Sequence, residues 1–402
     1  MPPEVRRKAR MGRLGSIRRD AVAAVGVVWL AGFHFFHDGF YHMAAFWWLL
    51  APLAVANADL LAGGDRRWRG MLILLVAWQL GCGLVRREGG WPAVAAMLDV
   101  VAVGVLVVTV LGISGRDRGW PVLRLAMVVA AAGVSLWSLV RFYPLAGLGL
   151  EDERLRNVLV YPTGLNAVLT GLLAGFSLLA GFELVGRESR WRWPLYGALS
   201  VLAFALMATQ ARGAMLATLA GAAVMVACRG RKVLPEVAAC VAGTLAYLVA
   251  FALADRGAAG PDLLERGATG RVEIWKTYLG RLEGGEWWIG TGRVPPLDES
   301  VLGWLVHHPH GSWVSQIVWC GLPGLLLLAV FLGLAAVAGW RVTARDATPL
   351  ALLVFGVTGL VFDGAQVVSL ASAPRIEPLL VLVPALVALR MRERRSDEVG
   401  PA

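Results

Sequence analysis

Stretches of about 20 apolar residues alternate along this chain with short polar stretches rich in arginine. A bilayer core about 30 Å thick needs about 20 residues of helix to cross it, so each apolar stretch predicts a membrane span. Twelve are expected, near residues 20–36, 41–61, 70–85, 92–113, 121–143, 163–185, 194–210, 213–228, 234–254, 314–340, 348–366 and 377–390. The third is short, and the segment 314–340 is long enough to bend at Pro323. The pattern divides the chain into nine helices with short loops (1–254), one large loop (255–311), and three further helices with a tail (312–402). An all-α polytopic membrane protein is expected.

Composition agrees. The 402 residues are 57% hydrophobic and 16% charged, against roughly 45–50% and ~25% in soluble domains. The net charge of +10 raises the question of a nucleic-acid partner. None is expected, because the basic residues sit in short runs between apolar segments instead of covering one soluble face. Those runs set orientation: with both termini cytoplasmic, 24 of the 38 basic residues fall on the inner side. The large loop and the segment 144–162, with its charged run 151–156, then face outward. Cys82, Cys228, Cys240 and Cys320 lie in apolar stretches without metal-ligand spacing and read as free thiols. The first apolar run lacks a small-residue cleavage pattern and reads as a retained helix. No Gly-rich phosphate loop precedes a Lys-Ser or Lys-Thr pair, so neither ATP-driven nor nucleotide-sugar chemistry is expected.

Several outward residues conflict with a purely structural role. Arg212 sits in the hairpin Thr209-Gln210-Ala211-Arg212-Gly213-Ala214 between two spans. Positive charge is disfavoured in short outward loops, and ionisable groups near bilayer depth usually have a partner and a function. Snorkelling to a lipid phosphate is the structural alternative. In the segment 271–282, helical spacing places Val272, Ile274, Trp275, Tyr278, Leu279 and Leu282 on one apolar arc, with Arg271 in its middle. The first turn of a helix also disfavours a cation. A bound phosphate or pyrophosphate resolves both conflicts; an arginine stem packed on Trp275, its head in water, is the alternative.

All six histidines (His34, His37, His42, His307, His308, His310) fall on the outward side. His310 precedes a helix expected from about Ser312, whose N-terminus disfavours an imidazolium and leaves a neutral ring for general-base work. His308 with His310, and His34, His37 and His42 with Asp38, lack the spacing of a zinc site, so no metal is expected. His34, His37 and His42 read as part of an interfacial aromatic loop. Asp99, inside the fourth span, and Asp363 and Gln366, near the outer end of the eleventh, have two readings: ion or proton carriers, or counter-charges to the outward arginines. Arg124 lies inside the fifth span.

In chain order these residues resemble the O-antigen ligase/polymerase family of bacterial envelope glycosyltransferases. The resemblance rests on three pieces within 209–325. Gln210-Ala211-Arg212-Gly213-Ala214 is similar to the family's S-R-G-A segment opening a span. Arg271 to Trp275, followed by Trp288-Ile289-Gly290-Thr291-Gly292, is similar to its R-x-x-x-W helix and P-x-x-G-x-G stretch. Pro309-His310-Gly311-Ser312-Trp313, with Gly321-Leu322-Pro323-Gly324 one helix later, is similar to H-N-x-(Y/F)-L and G-(L/x)-x-G. Gly311 stands where asparagine is usual, Gln-Ala replaces the serine before Arg212, and no proline precedes Trp287. The resemblance implies a GT-C-like architecture in the bacterial inner membrane with a periplasmic active site. It implies an inverting, metal- and cofactor-independent transfer of a glycan from undecaprenyl pyrophosphate. The acceptor is lipid A-core for a ligase, the first expectation, or another lipid-linked repeat for a polymerase. Arg212 and Arg271 would offset the pyrophosphate charge, and His310 would deprotonate the acceptor hydroxyl. His308, Arg154, Arg156, Arg293 and Lys276 are secondary substrate contacts. A solute or bicarbonate transporter is the alternative from another class.

Overall fold

The structure is a computed structural model describing residues 3–35, 39–86, 91–147, 155–156, 166–187, 189–230, 238, 270–292, 295, 297, 306, 308–370 and 375–399. Its helices are α1 (Pro3–Gly32), α2 (Gly39–Ala45), α3 (Ala51–Val55), α4 (Arg66–Arg86), α5 (Trp91–Ser114), α6 (Gly119–Val140), α7 (Ala167–Arg187), α8 (Arg192–Ala208), α9 (Arg212–Arg229), α10 (Arg271–Gly280), α11 (Glu286–Ile289), α12 (Ser312–Val342), α13 (Thr348–Phe362) and α14 (Ile376–Val399). Among the described residues six segments are long and apolar enough to cross a membrane: α4, α5, α6 with the turn that follows it, α7, α9 and α12. Gly39–Val55, α8 and α13 are shorter apolar helices. Among the described residues the protein is an all-helical membrane protein whose outer surface carries exposed Val28, Trp48, Val55, Ile73 and Leu326.

A helix stands wherever the apolar pattern places one within the described residues; the expected segment 234–254 lies outside them. Two helices differ in detail. The segment 41–61 is interrupted by a π-helical turn at Phe46–Leu50, just before Pro52. Proline has no N–H for the i−4 carbonyl, so the hydrogen-bond register shifts there. The bend in α12 falls at Gly321 (φ 69°, ψ −177°), not at Pro323. Pro323 instead sits in the first turn of the second half, where a missing N–H costs nothing.

Helix α14 lies at the centre. Ile376 through Leu389 are all buried, as a helix apolar on every side requires, and α5, α12 and α13 pack around it. Helix α13 also runs along α9, where small residues let the backbones approach. Gly213 meets Phe362, Ala217 lies opposite Gly359, and Gly221 meets the carbonyl of Ala351.

Long-range contacts define two ends of the bundle. At one, the Asp99 carboxylate accepts the Leu370 N–H at 2.7 Å and the Ser369 hydroxyl at 3.3 Å, and Gly171 packs on Thr209 and Ala211. At the other, Arg124 is fully buried and donates to Thr348 Oγ1 at 2.6 Å, with Asp346 Oδ2 at 3.2 Å. Beside it Glu183 accepts the Ala347 N–H at 2.9 Å and pairs with Arg229 at 3.0 Å. A buried charge survives only with such partners, and this network is what permits Arg124 inside a span. His34 and His42 are buried and pin helices together: His42 Nε2 lies 3.0 Å from the Trp29 carbonyl and His34 Nε2 lies 3.2 Å from Ser177 Oγ. Their interfacial-loop reading is therefore corrected for these two; His37 and Asp38 lie outside the described residues.

Candidate functional site

Three segments distant in sequence meet at the end of the bundle that holds Asp99. The first is the turn between α8 and α9. Thr209 donates its hydroxyl to the Leu206 carbonyl at 2.6 Å, and Gln210 takes a left-handed φ of 51°. The chain thereby reverses within three residues and delivers Arg212 as the first, exposed residue of α9. Its guanidinium makes no hydrogen bond or ion pair with the described residues. Leu155, fully buried against Ala205 and Ala208, donates its N–H to the Ala208 carbonyl at 3.0 Å. That contact ties residues 155–156 to this turn and brings the exposed Arg156 beside it.

The second segment is α10. Gly270, at φ 70°, starts the helix. Ile274 and Tyr278 are buried against Leu297, Val306 and Val318, and Leu282 is buried as well, whereas Val272 is exposed. The apolar arc is therefore narrower than the helical spacing suggests: Ile274 and Tyr278 pack against Val318 of α12 with Trp275 beside them, and Val272 is left out. Tyr278 donates to the Pro295 carbonyl at 2.8 Å, and burial pushes its phenol up to about 12, which keeps the donor protonated. Trp275, one turn beyond Arg271, donates its indole N–H to the Pro309 carbonyl at 2.9 Å. Arg271 is half-buried and has no hydrogen-bond or ion-pair partner among the described residues.

The third segment leads into α12. His310 has a left-handed φ of 50°, an uncommon conformation for a residue with a side chain. Its N–H donates to His308 Nδ1 at 3.1 Å, and the two imidazole rings lie 4.2 Å apart. His310 Nδ1 lies 3.2 Å from Asp363 Oδ1. Asp363 caps the C-terminus of α13 in extended conformation, with its side chain 6% exposed against 39% for His310. Asp363 Oδ1 also accepts the Gly364 N–H at 2.8 Å. As a carboxylate Asp363 can only accept, so Nδ1 carries the shared proton, and in the neutral imidazole the lone pair is then on Nε2. Behind it, buried Glu377 accepts the Ala365 N–H at 2.6 Å and holds the 363–365 turn in place.

These contacts bring Arg212, Arg271 and His310 to one region. Gly213, next to Arg212, touches Phe362, next to Asp363. Trp275, on the helix of Arg271, holds the neighbour of His310. A β-carbon on Gly311 would stand 3.0 Å from Trp275 Nε1, so the indole occupies the space a larger side chain would need. That is a physical reason for glycine at position 311. The end of α12's first half is braced by the Gly290 stretch: Val318 accepts from the Thr291 N–H at 2.8 Å, Trp319 from the Gly292 N–H at 3.0 Å, and Cys320 from Trp78 at 2.9 Å. These donors satisfy carbonyls that the break at Gly321 frees. Arg154, Arg293 and His307 lie outside the described residues.

The arrangement holds an imidazole against a buried carboxylate, near two arginines that have no hydrogen-bond or ion-pair partner among the described residues. Asp363 is the residue whose part the sequence reading left open; nothing local marks a carboxylate 53 positions from its histidine as its partner. No family model matches the chain, and no curated protein matches it.

Proposed function

We propose that this protein is a membrane glycosyltransferase of the O-antigen ligase type, moving a glycan from undecaprenyl pyrophosphate to lipid A-core at the periplasmic face of the bacterial inner membrane. The reading includes about 12 spans in a GT-C-like arrangement with cytoplasmic termini. One observation carries it: the His310–Asp363 pair stands at the same end of the bundle as Arg212 and Arg271, two arginines without partners among the described residues.

In the reaction an acceptor hydroxyl attacks the anomeric carbon as its proton passes to His310 Nε2. The bond from that carbon to the phosphate oxygen breaks, and undecaprenyl pyrophosphate leaves from the opposite side, so configuration inverts. Negative charge grows on the leaving phosphate, where Arg212 and Arg271 offset it. Arg156 and His308, at the same end of the bundle, serve in this reading as secondary contacts to the donor or the acceptor.

Expression in a strain lacking its own ligase tests the reading. Recovered long-chain lipopolysaccharide is the expected result. Polymer that stays on the lipid carrier would assign the polymerase instead, and solute uptake without any glycan change would sink both. In a reconstituted assay, His310→Ala and Arg271→Ala should each slow transfer by about 100-fold or more.

A further inference from the structure

We propose that the opposite end of the bundle carries a binding site for a phosphate group, of the kind borne by an anionic lipid headgroup or free phosphate. The inference is independent of the function proposed above. A cavity of about 380 Å³ lies between the first turn of α4 and the last turns of α14, lined in part by Asp65, Trp68, Leu389, Arg392 and Ser396. Its volume falls in the range of small-molecule sites, and basic pockets between membrane helices bind lipid headgroups.

The charge around the cavity has been sorted by the fold. As sequence, Arg390, Arg392, Arg394 and Arg395 form one orientation signal. In the structure three of them are spent on the protein: Arg390 on Glu393 at 2.8 Å, Arg394 on Asp117 and the Ser114 carbonyl, and Arg395 on the Arg341 carbonyl. The half-buried Arg392 has no partner for its guanidinium among the described residues and faces the cavity. The acids nearby do not fill its place. Glu393 is saturated, accepting the Asp65 N–H at 2.7 Å and the Trp68 indole at 2.8 Å, with Arg69 at 3.8 Å besides Arg390. Asp65 accepts the Arg67 N–H at 2.9 Å. Gly64, at φ 96°, lets the turn close over Glu393 and Arg69, where a β-carbon would strike both. Among the described residues the cavity then presents the Arg392 guanidinium as its one cation, above an apolar floor of Trp68 and Leu389; Asp65 and Glu393, which also line it, accept from N–H donors of the protein, and the Ser396 hydroxyl is turned to the Arg392 carbonyl at 3.2 Å. That combination recognises a phosphate on a short organic stem.

Native mass spectrometry of the full-length protein in detergent, with phosphatidylglycerol or phosphatidylcholine added, tests this, alongside thermal protection by inorganic phosphate. Phosphatidylglycerol should be retained over phosphatidylcholine, and Arg392→Gln should cut that retention about 5-fold. Arg392→Lys should keep most of it, and Arg67→Gln, which removes an equal charge outside the cavity, should leave it unchanged. Phosphate protection that Arg392→Gln abolishes, without lipid preference, would assign the same site to the free ion. Equal retention of both lipids with no phosphate protection overturns the proposal, and so does an equal effect of the Arg67 and Arg392 variants.

Discussion

His310 Nδ1 and Asp363 Oδ1 lie 3.2 Å apart although 53 residues separate them in the chain. In the proposed reaction Asp363 is a positioning residue: it holds the imidazole with Nε2 toward the acceptor and stabilises the imidazolium that forms. Asp363→Asn keeps the shape but offers an amide that can present its N–H to Nδ1 and reverse the tautomer. Transfer should fall by about 100-fold or more through kcat, with the KM for the lipid donor little changed. A matched rise in KM would instead mean that the loop 363–370 had moved. At the same scale, Arg212 and Arg271 stand out in the sequence because each contradicts its surroundings, one a short hairpin between apolar helices and the other an apolar arc. Asp363 carried no such contradiction. A lone aspartate at a helix end is ordinary, and its meaning lies in what it touches.

At the scale of elements, the break in α12 organises the site. Gly290 and Gly321 both have positive φ and cross back to back. A β-carbon on Gly290 would overlap the Trp319 carbonyl, and one on Gly321 the Trp288 carbonyl. The close approach lets Thr291 and Gly292 satisfy the freed carbonyls, which seats α10 and α11 on the first half of α12. Gly321→Ala therefore has neither the conformation nor the space it needs, and should destabilise the protein by about 2–3 kcal/mol, seen as a lower thermal midpoint. The two glycines were visible as motif pieces. Their reciprocal contact was not, because each fills a space set by the other, and the proline nearby drew the expected bend two residues too far along.

For the whole molecule, the two ends of the bundle use charge differently. At the His310 end two arginines have no partners among the described residues; at the other, Arg124, Asp346, Glu183 and Arg229 are closed into a buried network joining α6, α7, α9 and the turn before α13. Arg124→Met would strand Asp346 in a buried site and should cost about 3–5 kcal/mol, measured by thermal or denaturant unfolding. Arg124→Met with Asp346→Leu should recover most of that loss, since the stranded charge is then gone. A double variant no more stable than the single one would show that the network acts through the lost Thr348 contact instead.

The apolar periodicity by itself determined that this chain is helical and membrane-embedded, and where its helices lie, because a helix in lipid must satisfy its own backbone hydrogen bonds whatever its neighbours do. Local sequence context singled out Arg212 in a short hairpin, Arg271 on an apolar arc and His310 before a helix N-terminus, since each feature is visible before any partner is known. Only the tertiary structure decided which charges are spent and which are free. It closed Arg124 and Glu393 into partners, gave His310 its aspartate, and left Arg392 facing a cavity. Pairing between distant side chains depends on which helices meet and at what height, and the period of a single helix does not encode that.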